Sequence, residues 1–239
     1  GSIERLHENV RRNRARTGGE RSKENGALIQ ARQDAAAREP LVSSAEVGVS
    51  LGTDTKMLHI LPRNAWDQEL LDVEAAAKQA GISEVVMVTG LLQVNGGGSP
   101  VSITGVAERE TNRIVMRVDS RKKTASELGL HEIAHFRSTR ENVEAFAAAV
   151  QDSGDGWRDT LEEYRERYKG AANNYEGMTP EDADLYVWEE IMGDAYAGID
   201  CFGQTASQYH TEAVRAIDGG SGAIPAQAVS YTHLTLPTE

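Results

Sequence analysis

A chain of 239 residues with 39% hydrophobic and 26% charged residues is long enough for one well-buried domain with appendages, and too short for two large ones. Its net charge of -12 is uneven: residues 1–39 carry nine Lys and Arg against six Asp and Glu, and the remainder carries 16 against 31. An acidic body argues against nucleic acid as the main partner, the absence of any apolar run of about 18 residues argues against a membrane span, and a single cysteine, Cys201, excludes an internal disulfide framework.

Residues 1–40 are polar and Arg-rich, and are expected to be helical or disordered and to lie outside the core. The run Arg11-Arg12-Asn13-Arg14-Ala15-Arg16 reads as a solvated polar tail or helix. Gly1-Ser2 reads as the scar of a removed tag, so targeting is not judged from it; the lone cysteine fits a reducing compartment, cytoplasmic or phage-associated. A helix is expected over about Asn64–Ala80, ending at Gly81, with Trp66, Leu70, Leu71, Val73 and Ala77 as its apolar positions. Three β-rich runs follow, Glu84–Val94, Val101–Glu108 and Arg113–Val118, the last two forming a hairpin across Arg109-Glu110-Thr111-Asn112. The segment Asn95–Pro100 reads as a loop. From Thr124 onward the pattern predicts helices near Thr124–Ser138, Glu141–Gln151, Trp157–Lys169 and Pro180–Phe202.

The chemistry concentrates in Leu128-Gly129-Leu130-His131-Glu132-Ile133-Ala134-His135-Phe136. Thr124 with Glu127 fits a capping box, which starts a helix ahead of His131. On that helix His131 and His135 are four apart, so both imidazoles project from one face and can grip one ion. Glu132 is rotated about 100° from His131, beside the metal position, where a general base can reach a bound water. Leu128, Leu130, Ile133, Ala134 and Phe136 make the helix a buried one, and two histidines with a glutamate are not buried without a use. The spacing therefore predicts a zinc site with Glu132 as base.

A metzincin needs Gly at position 138 and His at 141, where this chain has Ser138 and Glu141. Away from the two ends the other histidines are His59 and His210, so a carboxylate is the better third ligand. The helix Pro180–Phe202 supplies one. Leu185, Trp188, Met192 and Ile199 form its apolar stripe, Glu190 and Asp194 stand one turn apart on another side, and Gly193, Ala195, Ala197 and Gly198 permit close approach to a neighbouring helix.

His131-Glu132-Ile133-Ala134-His135 followed by Glu190-Ile191-Met192-Gly193-Asp194 resembles the gluzincin pattern, HEXXH with a downstream ExxxD. That resemblance implies a minimal zincin-like α+β fold, with a small mixed sheet and hairpin packed on the HEXXH helix and a mostly helical C-terminal half. It implies zinc on His131, His135 and Glu190, and Asp194 behind a ligand histidine. The implied activity is hydrolysis of peptide bonds in a peptide or protein substrate, aligned along a sheet-edge strand in the hairpin. An aspzincin-like arrangement, with Asp194 as ligand and Tyr196 nearby, stays open. Roughly residues 80–205 also resemble zincin-like peptidase domains in large polyvalent proteins of phages and other mobile elements. The chain shows no thermolysin-like second domain, and its 54 residues between His135 and Glu190 exceed the spacing in thermolysin. Tyr196, Tyr209 and His210 are the candidate donors to the oxyanion. A catalytically idle metal-binding module of a larger protein, and a regulatory peptidase cleaving one repressor partner, are the alternatives. The domain is expected over residues 41–228. Val229–Thr238 resembles an in-frame translation of a transposon-type sequencing adapter, so residues 229–239 are expected to be disordered or loosely packed.

Overall fold

A computed structural model describes residues 1–43, 57–90, 92–96, 99–171, 178–219 and 233–235. Two helices lead, α1 (Ser2–Ala15) and α2 (Gly18–Ala36), followed by strands β1 (Leu41–Ser43) and β2 (Met57–Ile60) and helix α3 (Gln68–Gln79). Strands β3 (Glu84–Thr89), β4 (Leu92–Gly96), β5 (Ser99–Ile103), β6 (Gly105–Glu108) and β7 (Arg113–Arg117) come next. Helices α4 (Ala125–Arg137), α5 (Arg140–Asp152), α6 (Trp157–Ala171), α7 (Pro180–Ala197) and α8 (His210–Asp218) then precede a last strand, β8 (His233–Thr235). No helix among the described residues is long and apolar enough to cross a membrane.

The architecture is α+β, with one mixed sheet in the order β1-β2-β3-β7-β6-β8 and a separate β4–β5 hairpin. Strand β3 runs parallel to β7, from Glu84 opposite Arg113 to Val88 opposite Arg117, while β6 and β7 form the expected antiparallel hairpin closed by Glu108 opposite Arg113. Asn112 adopts φ 53 in its turn, a left-handed conformation that Asn tolerates better than most residues. Two of the expected β runs break at residues the periodicity does not flag. Gly90 (φ 106) ends β3 before β4, and Thr104 separates β5 from β6. The expected loop at Asn95–Pro100 is also shorter than read. Asn95 pairs with Pro100 and Gly96 with Ser99, and the intervening Gly97 and Gly98 lie outside the described residues. Proline is tolerated in a strand at an edge position, and a two-stranded ribbon has only edges.

Residues 1–40 are helical, as one of the two expectations had it, but they do not lie outside the core. Ile3, Leu6 and Val10 follow a three-and-four spacing on α1 and are buried, and α2 buries Ile29, Arg32 and Ala36. An average dominated by arginine conceals this narrow stripe, in which each buried aliphatic side chain contributes about 1.5–3 kcal/mol. The buried Arg32 guanidinium is matched rather than stranded: it lies 2.8 Å from Asp67 and 2.9 Å from Glu69, and donates to the Val118 carbonyl at 3.0 Å. Strand β8 differs from expectation too. It lies in the segment read as an adapter translation, yet its backbone pairs antiparallel with β6, Gly105 opposite Thr235 and Ala107 opposite His233.

Helix α4 is the centre of the molecule, buried at every position from Ala125 to Arg137. The Thr124–Glu127 capping box is present, with Thr124 Oγ1 accepting from Glu127 N at 3.2 Å and the Glu127 carboxylate accepting from Thr124 N at 3.0 Å. Close packing on both sides depends on glycine. A β-carbon at Gly129 would lie 2.9 Å from Val73 of α3, and one at Gly193 of α7 would lie 3.1 Å from the His131 ring. Helix α7 starts at the Thr179 cap with Pro180 in its first turn and stops at Gly198, whose φ of 75 is a left-handed cap. It is therefore shorter than the expected Pro180–Phe202.

Candidate metal centre

The antiparallel crossing of α4 and α7 brings His131, His135 and Glu190 together, all three fully buried and with ligand atoms within 4.8 Å of one another. His131 Nε2 and His135 Nε2 are 2.9 Å apart. Glu190 spans them, Oε2 lying 3.2 Å from His131 Nε2 and Oε1 lying 3.1 Å from His135 Nε2. Tetrahedral zinc with bonds of about 2.0–2.1 Å places neighbouring donors about 3.3 Å apart, so these three atoms need to open by only a few tenths of an ångström. Two imidazole nitrogens and a carboxylate form a borderline donor set suited to zinc and to other divalent transition metals. The residues fit the ion.

Each histidine is oriented from behind. His131 Nδ1 lies 2.8 Å from Asp194 Oδ1, a charge contact set off the line of an ideal hydrogen bond. His135 Nδ1 lies 2.7 Å from Glu189 Oε2. Asp194 is the residue the sequence pattern singles out; Glu189 is not. It is held in turn by Arg109, from the β6–β7 turn, which donates from Nη2 to Glu189 Oε2 at 3.1 Å and from Nε to the His135 carbonyl at 3.1 Å. Two tyrosines of α6 complete the shell: Tyr164 donates to Asp194 Oδ2 at 2.6 Å and Tyr168 to Glu190 Oε2 at 2.8 Å. Their rings stack at 6.1 Å and 11°, and burial together with the adjacent carboxylates pushes both phenols well above their ordinary pKa. Signals for these residues exist in the chain. Glu189 is a third acid, beside Glu190 and Asp194, in the apolar second half of α7, and Tyr164 and Tyr168 stand four apart on one helical face.

The electrostatics favour a cation. Burial alone lowers the pKa of both imidazoles, but the carboxylates overcome it. Asp194 and Glu190 push His131 up to about 9, and Glu190 and Glu189 push His135 up to about 10. The Asp194 carboxyl, although buried, is held below the usual carboxylate range chiefly by His131. Two imidazolium protons and the Arg109 guanidinium face the carboxylates of Glu189, Glu190 and Asp194. One divalent ion in place of the two protons leaves the same net charge.

Glu132 is fully buried on the same helix. Its carboxylate lies against the backbone of β6, where a β-carbon at Gly105 would come within 3.0 Å of Oε1 and 3.4 Å of Cδ. The glycine makes room for the acid beside the strand that β8 pairs with.

Of the expected oxyanion donors, Tyr196 and His210 make contacts outside the triad. Tyr196 donates to Asp218 Oδ1 of α8 at 2.8 Å and meets the His7 ring edge-on at 4.8 Å. Its phenol is raised by burial and by Asp218. His210 Nδ1 lies 2.9 Å from the Ala195 carbonyl, and its ring is 5.6 Å from His7. Arg137 donates to the same Asp218 oxygen at 2.8 Å. Tyr196 and His210 thus belong to a second polar cluster between α1, α7 and α8, because Tyr196 projects from α7 about 120° away from Glu190. His59, on β2, lies 3.0 Å from the Glu39 carbonyl. No family model, curated protein or solved structure matches the chain.

Proposed function

We propose that the chain is a zinc-dependent metallopeptidase of the gluzincin type. His131, His135 and Glu190 hold the ion, Asp194 and Glu189 orient the two histidines, and Glu132 is the general base. The observation that carries this reading is the buried triad with both Nε2 atoms turned toward one carboxylate and both Nδ1 atoms backed by acids. When bound, zinc supplies Lewis acidity, lowering the pKa of a coordinated water to about 7 and polarising a carbonyl. The Glu132 carboxylate then takes up the proton of the attacking water and returns it to the leaving amine. A peptide substrate in extended form is expected to take the edge of β6 beside Glu132, the position that β8 holds in this structure.

A catalytically idle metal-binding module within a larger protein is the second reading, and complete burial of the triad favours it. Glu132 speaks against it, because a purely structural site closes all four positions with ligands and has no need of a base among them. The test is Glu132→Gln. The variant is expected to keep its fold and its zinc while losing cleavage of an unstructured protein by several orders of magnitude. A zinc-loaded wild type that cleaves no faster than Glu132→Gln contradicts the enzyme reading and leaves the structural one.

A further inference from the structure

A cavity of about 680 Å³ opens at the N-terminal end of α4, between α2 and the loop at residues 119–124. Arg14, Arg21, Arg32, Arg121, Lys122 and Lys123 line it against Glu69, Glu127 and Asp200, a cationic excess in a chain whose net charge is -12. The three acids are already engaged. Glu69 accepts from Arg32 at 2.9 Å and from Ser126 Oγ at 2.8 Å, Glu127 is held in the capping box, and Asp200 accepts from Ser207 N at 2.9 Å. Arg21, Arg121 and Lys122 have no acidic partner among the described residues. Three unmatched cations converging on one concavity repel one another, and a ligand of opposite charge relieves that repulsion.

We infer that this cavity binds a compact polyanion of the polyphosphate type, held by Arg21, Arg121 and Lys122. Arginine suits that role because its planar fork meets phosphate oxygens in pairs. Among the described residues the lining contains no aromatic ring on which a base stacks, so recognition reads charge rather than a nucleobase. An extended nucleic-acid track is disfavoured by the neighbouring arginines. Arg11 is paired with Glu8 at 2.8 Å and Arg16 with Glu24, and of the basic run only Arg14 lines the cavity, 3.5 Å from Glu127.

Equilibrium dialysis of the full chain against inorganic tripolyphosphate, reading protein-bound phosphorus, tests the assignment. Wild type is expected to saturate at one tripolyphosphate per chain and to bind inorganic phosphate more weakly. The triple variant Arg21→Gln/Arg121→Gln/Lys122→Gln, altered only at half-buried or exposed positions, is expected to bind tripolyphosphate at least about tenfold more weakly. Zinc drawn off by the probe is common to both proteins, so the difference between them reads the cavity. Absence of saturable binding, equal binding by the triple variant, or tighter binding of a single-stranded oligonucleotide that tripolyphosphate fails to displace overturns the inference.

Discussion

Glu189 Oε2 stands 2.7 Å from His135 Nδ1, so the second histidine of the motif has its own buried acid, as the first has Asp194. A hydrogen bond from Nδ1–H fixes the tautomer that leaves Nε2 free for a metal, and partners of this kind are typically worth about 10–100-fold in metal affinity or activity. Glu189→Gln keeps an acceptor for the imidazole and is expected to weaken zinc modestly. Glu189→Ala is expected to weaken it by about 10–100-fold and to destabilise the fold, because it removes both the acceptor for His135 Nδ1 and the side chain that Arg109 bonds. Chelator competition and denaturant titration on the two variants check this; equal behaviour of Gln and Ala would remove Glu189 from the metal shell.

Glu190 and Asp194 are separable by the same titration. Glu190 contacts both Nε2 atoms, so Glu190→Ala is expected to lose most of the zinc affinity. Asp194 contacts only the far nitrogen of His131, so Asp194→Ala is expected to retain detectable zinc at about 10–100-fold lower affinity. The reverse order would make Asp194 the ligand, as in the aspzincin-like alternative.

Zinc uptake should expel protons. His131 and His135 are raised from 6.5 to about 9 and about 10 in the metal-free site, so they stabilise the metal-free fold fully below pH 6.5 and lose that contribution as pH rises through 9 to 10. Zinc requires both Nε2 atoms deprotonated, so its affinity is expected to climb with pH across that window, with about two protons released at pH 7.5. Calorimetry in buffers of different ionisation enthalpy reads the number. Zinc affinity that is flat between pH 6.5 and 9 would contradict the site's charge balance.

Gly105 is a steric prediction. A methyl group there meets the Glu132 carboxylate at 3.0 Å, tighter than ordinary contact, and the flexible acid is expected to turn away from β6. Gly105→Ala should therefore retain zinc and a near-native melting temperature but lose about 10–100-fold in peptide cleavage, the cost of displacing a group by about 1 Å. Unchanged activity would show that Glu132 works from another position.

The site was more legible than the fold around it. His131, Glu132 and His135 are local, set by one capped helix, and Glu190 and Asp194 follow from the apolar second half of another helix, where an acid has no solvent to face. Arg109 and Glu189 are 80 residues apart, and a contact of that separation leaves no period in the sequence. The partners of Tyr196 and His210 were illegible for a related reason. Proximity in sequence to Asp194 says nothing about azimuth, and α8, which supplies the Asp218 that Tyr196 bonds, was not foreseen. The burial of helix α1 was missed because composition averages over a stripe of Ile3, Leu6 and Val10, where position matters.

The central claim is that one zinc ion sits between α4 and α7 on these three side chains. Anomalous diffraction from zinc-loaded crystals, collected on both sides of the zinc absorption edge, tests it directly. The expected result is one peak per chain within about 2.0–2.2 Å of His131 Nε2, His135 Nε2 and a Glu190 oxygen. No peak at that position, or a peak bonded to Asp194 with Glu190 turned away, would contradict the account.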